Sequence, residues 1–70
     1  MSGPMVSDPD IFRAAKLVID KDGEDAALHA AQRADGLLED GDVDGAGIWV
    51  RILKAIEELR RGRQDGEAVN

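Results

Sequence analysis

Apolar positions recur along this chain at helical spacing, and no segment shows the strict alternation of a strand. From Ile11 the series Ile11, Phe12, Ala15, Val18 and Ile19 falls on one helical face. A second series, Ala27, Ala30, Ala31, Ala34, Leu37 and Leu38, makes another, and Trp49, Ile52, Leu53, Ile56 and Leu59 make a third. The boundaries carry residues with a physical reason to be there. Ser7-Asp8-Pro9-Asp10 supplies a Ser or Asp cap, proline in the first turn and acid at the positive end of the helix dipole. Asp22-Gly23 and Gly41 end the first two helices, since glycine reaches positive φ at no steric cost. Glu24-Asp25 put acid at the start of the second helix. Asp42 or Asp44 caps the third, which is expected to run to about Arg61 with Gly62 closing it.

This reading predicts an all-α protein. It has three short antiparallel helices in up-down-up order, because such short connections leave consecutive helices as antiparallel neighbours. Residues 8–61 form the domain. Residues 1–7 and 62–70 are small, polar or charged, and are expected to fray as tails. The alanines of the second helix cannot fill a groove, but they let a neighbouring backbone come close. Bulk then comes from Phe12, Ile19, Trp49 and Ile56 on the flanking helices. Trp49 is assigned to the core with its indole N–H at the surface or on a carbonyl.

Three apolar residues fit none of these faces. Leu17 lies nearly opposite the apolar side of the first helix, and Leu28 and Val50 are each about 100° from the stripe residue before them. Singly, such residues are ordinary surface apolars. Together, on so small a domain, they mark an interface, with Ala14 beside Leu17 as a further contact. Gly36 and Gly47 are equally out of place inside helices, where glycine costs up to about 1 kcal/mol against alanine. Either they admit close approach of another helix or they are drift.

Composition narrows the functional classes. Seventy residues allow one small domain. Without cysteine there is no disulfide framework, redox pair or thiolate metal cage. No apolar run approaches the roughly 20 residues of a membrane span. MSGPMVSDPD has neither the basic nor the apolar segment of a signal peptide, so the expected location is cytoplasmic. A domain of this size without disulfide or metal often leans on a partner or on a second copy of itself, and a homodimer is the commonest assembly.

The string Asp40-Gly41-Asp42-Val43-Asp44-Gly45 matches the first half of an EF-hand calcium loop, with oxygens at positions 1, 3 and 5 and glycine at 6. Position 12, where a bidentate Glu belongs, is Arg51, a cation that removes two ligands and adds repulsion. Helix caps explain every residue more cheaply, so calcium through Asp40, Asp42 and Asp44 stands as the alternative reading. Asp20-Lys21-Asp22-Gly23-Glu24-Asp25 imitates the motif less well and reads as a helix junction. His29 is the only histidine, and it points about 160° from the centre of the alanine stripe, a solvated position with Asp25 nearby. With Ser2 and Ser7 as the only serines and no threonine, no nucleophile is implied, and neither catalysis nor a cofactor is expected.

Partners follow from charge. A net charge of −6 and mixed-sign helix faces argue against nucleic acid, against phosphate at Gly41, Gly45 and Gly47, and against a membrane surface. Arg60-Arg61-Gly62-Arg63 reads as cations at the negative end of a helix. An acidic mimic of nucleic acid has the charge in its favour, but its acids are interleaved with bases.

The strings Asp10-Ile11-Phe12-Arg13-Ala14-Ala15, Gly23-Glu24-Asp25-Ala26-Ala27 and Gly41-Asp42-Val43-Asp44-Gly45 carry a further signal. With Trp49 and Ile52-Leu53-Lys54-Ala55-Ile56-Glu57-Glu58-Leu59 they resemble a family of short bacterial proteins classed as a domain of unknown function. The likeness spans roughly residues 8–60. It implies a stand-alone bacterial helical protein and supplies no activity, ligand or site. The expectation is a non-enzymatic helical interaction module that binds itself or another protein.

Overall fold

The computed structural model describes residues 7–69, with side chains as far as Arg61. The N-terminal tail other than Ser7, and Asn70, lie outside the described residues. Every described element is helical: α1 spans Asp8–Asp22, a 3₁₀ turn spans Gly23–Asp25, α2 spans Ala26–Glu39 and α3 spans Val43–Val69.

α1 begins as its residues dictate. Ser7 is the cap in extended backbone, its carbonyl accepts the Ile11 N–H at 3.0 Å, and its hydroxyl donates to Asp10 at 3.1 Å. Asp8 and Asp10 sit at the positive end of the dipole and Lys21 at the negative end, each where it is favourable. The predicted stop at Gly23 proves to be a bend. Gly23 takes φ 58 and ψ −123, but its N–H still donates to the Ile19 carbonyl, and the 3₁₀ turn leads straight into α2. α1 and α2 therefore form one bent helical arm rather than two separate antiparallel neighbours, which corrects the expectation of three antiparallel helices. The arm lies against α3, and each of its halves touches α3 more than it touches the other half.

The second junction is a true reversal. Asp40 N–H donates to Gly36, Gly41 N–H to Leu38 at 3.0 Å and Asp42 N–H to Leu37 at 2.8 Å, with Gly41 at φ 85. The last two bonds are the paired 5→2 and 6→1 bonds of a Schellman ending. Asp42 then caps α3: its carboxylate accepts the Gly45 N–H at 2.9 Å and its carbonyl accepts the Ala46 N–H at 3.0 Å. α3 does not close at Gly62 but continues to Val69. Nothing at Gly62 forces a stop, and the residues after it include good helix formers such as Arg63, Gln64, Glu67 and Ala68.

The core is built mostly of methyl groups. Its buried residues are Ile11, Ala15, Ala26, Ala30, Ala34, Ala46, Ile52, Ala55 and Ile56. Phe12, Val18, Ile19, Trp49, Leu53 and Leu59 are half-buried against it. The buried face of α2 runs through Ala26, Ala30 and Ala34, not through Ala27 and Ala31, and Leu38, expected inside, is 54% exposed. The stripe is rotated toward Ala26 because α2 enters directly from the bend, which presses its first residue onto α3.

Candidate interaction surface

Two kinds of surface feature stand out: a polar and aromatic corner at the bend, and large apolar side chains left in solvent. At the corner, Asp22 at the end of α1 and His29 on the first turns of α2 share a side-chain hydrogen bond, Nδ1 to Oδ2 at 2.5 Å. The imidazole stacks on Trp49 of α3, ring centroids 6.0 Å apart and planes 14° from parallel. Arg33, one turn on from His29, places its guanidinium 5.5 Å from the same indole. The expected solvated His29 is thus half-buried, paired with Asp22 instead of Asp25, and packed on the tryptophan. The rotation of the α2 stripe accounts for this: measured from Ala30, the true centre, His29 lies about 100° away, on the flank beside α3. Among the described residues no serine hydroxyl lies beside the Asp22–His29 pair. The one described serine hydroxyl, on Ser7, is held by Asp10 at the far end of α1.

The aspartates of the candidate calcium loop do not converge. From Val43 onward the loop is already helix, and the Asp42 carboxylate is engaged by the Gly45 backbone. Among the described residues no three His, Cys, Asp or Glu side chains group as metal ligands. Nor is any described helix long and apolar enough to cross a membrane.

A shallow groove of about 290 Å³ separates the start of α1 from the middle of α3. Ile11, Phe12 and Ala55 line it together with the charged Asp8, Arg51, Lys54 and Glu58. Two acids against two bases select no charged ligand.

The apolar outliers are where the wheel puts them. Leu17 is 61% exposed, Leu28 57% and Val50 40%. Ala14 is half-buried against the core and offers only part of its methyl to a partner. Leu38 and Val43 join the exposed set from either side of the α2–α3 turn. Leu38 was expected in the core, and Val43 belonged to no stripe. The signal for Val43 was in the chain all along, seven residues before Val50 on the same helix.

No family model, no curated protein and no solved structure matches this chain. Roles for its residues therefore rest on geometry.

Proposed function

We propose that this protein is a small non-enzymatic helical module that acts by self-association, as a dimer, or by binding another protein. We read α2 and α3 as an antiparallel hairpin, a reading supported by the Schellman ending at Gly41 and the fresh cap at Asp42, with α1 laid against it. The observation that carries the reading is the mismatch between core and surface. Inside, six of the nine buried residues among those described are alanines, and Ile56 is the largest of them that is fully buried. Outside, five large apolar side chains among the described residues stand in solvent. Fully burying a Leu, Ile or Val is worth about 1.5–3 kcal/mol, several times what an alanine methyl contributes. Covering these exposed side chains therefore offers stabilisation that the small core leaves untaken. The half-buried Trp49 corner and the even-handed groove ask for no substrate or cofactor, and a cytoplasmic interaction partner suits both.

Light scattering behind a sizing column, across a hundredfold dilution, tests this. The expected result is a dimer that dissociates on dilution. It is to be abolished by glutamate at one or more of Leu17, Leu28 and Val50 while circular dichroism still reports a folded helical chain. A monomer throughout, unchanged in thermal unfolding by any of these variants and recovering no partner protein from a cell extract, overturns the proposal.

A further inference from the structure

We infer that two copies of the chain pair through the outward face of α3, with the two helices antiparallel and crossing at Gly47. The inference rests on the self-association proposed above and assigns it a surface. Val43, Gly47 and Val50 recur at i, i+4 and i+7, within about 60° of one another around the helix. All three are exposed, Val43 to 67%. A Cβ built on Gly47 meets nothing within 4 Å, so no neighbour in its own chain requires a glycine there. Its effect is to thin α3 between two valines, where another backbone can come close.

Charge identifies the occupant. Asp44 and Arg51 are exposed, seven residues apart and so about 20° apart on one flank of this face. The valines hold the other flank. A two-fold axis perpendicular to both helices reverses their direction and keeps each flank on its own side. With Gly47 at the axis, Asp44 of each copy comes opposite Arg51 of the other, and Val43 of each opposite Val50 of the other. The face is then complementary to its own two-fold image, as an isologous interface must be. A parallel pair, related by an axis running along the helices, would instead exchange the flanks and set Asp44 and Arg51 of each copy against the valines of the other. Among the described residues neither has an ion-pair partner in its own chain, so both are available. With two valines per copy the contact falls well below the roughly 1,600 Å² of a standard interface, and the dimer is accordingly weak and concentration-dependent.

The natural absence of cysteine makes the test clean. Gly47→Cys places one thiol per chain at the axis, and mild oxidation is expected to give a covalent dimer. Leu17→Cys and Leu28→Cys, off this face, are expected to stay uncross-linked under the same conditions. In light scattering, Val43→Glu and Val50→Glu are expected to give monomers, and Val43→Glu is also favourable at a helix N-terminus. Leu17→Glu and Leu28→Glu are expected to keep the dimer. Arg51→Asp is expected to weaken association about tenfold by turning two attractive pairs repulsive, and adding Asp44→Arg to restore it. A dimer lost in Leu17→Glu or Leu28→Glu but kept in both valine variants, with no Gly47→Cys cross-link, overturns the α3 face and leaves self-association standing. A wild-type monomer across the whole dilution range overturns both.

Discussion

Asp22-Gly23-Glu24 and Asp40-Gly41-Asp42 each set a glycine between two acids, and in both the glycine takes positive φ, 58 at Gly23 and 85 at Gly41. The first bends a helical arm without ending it, and the second reverses the chain. The difference lies in the residue after the glycine. Asp42 is short enough to return its carboxylate to the Gly45 N–H and start a new helix in a new direction. Glu24 is one methylene longer and a poor cap, and neither Asp22 nor Asp25 makes a side-chain cap there. The helical bonds simply run on through a 3₁₀ turn. Asp22 is left without a backbone partner, and it takes His29 instead. One junction is thus closed locally by backbone amides, whereas the other is closed by a side chain that ties α1 to α2 and, through Trp49, to α3.

Substitutions that break one junction and spare the other sharpen this contrast. The largest effect is expected for Gly23→Ala. With φ 58 and ψ −123 the residue sits where only glycine is at ease, and a Cβ costs about 1–3 kcal/mol, read from urea unfolding followed by circular dichroism. Gly41→Ala comes next, at about 1–2 kcal/mol for a side chain at positive φ, by the same measurement. Asp42→Ala removes the α3 cap and is expected to cost about 1 kcal/mol, with Asp42→Asn or Asp42→Ser recovering most of it.

Gly45→Ala is expected to change stability by no more than about 0.5 kcal/mol. The new Cβ would lie 2.6 Å from an Asp42 carboxylate oxygen and push the cap aside, while alanine regains about as much in helix propensity. No response at all is expected when millimolar Ca²⁺ is added and Trp49 fluorescence is followed. The carboxylate a calcium loop needs is already committed to starting α3, and a change in emission would show that it is not.

Much of this was legible in the chain. The glycines at both junctions, the Asp42 cap, Ser7 as the residue before α1 and the acidic first turns of α1 and α3 are decided within a few residues of themselves, by steric freedom at φ, by reach to an amide or by the helix dipole. Leu17, Leu28 and Val50 were equally legible as exposed, because each stands far from the apolar face of its own helix. The errors in α2 share one cause. Reading Gly23 as a stop separated α2 from α1, started α2 at Glu24-Asp25 and left Ala26 out of its buried stripe. That misplaced the α2 stripe by nearly half a helical step. Leu38 was drawn inward, and His29 was turned away from the tryptophan it covers.

By itself the sequence determined that the chain is helical, where α1 and α3 start, and that Leu17, Leu28 and Val50 meet the solvent, since these depend on propensity, capping and period. Only the tertiary structure decided that one junction bends and the other reverses, which alanines are buried, and that Asp22, His29, Arg33 and Trp49 meet at one corner. Those outcomes depend on rotations of a few tens of degrees about helix axes. Such rotations are set by close packing against a neighbour, and spacing along a single helix cannot resolve them.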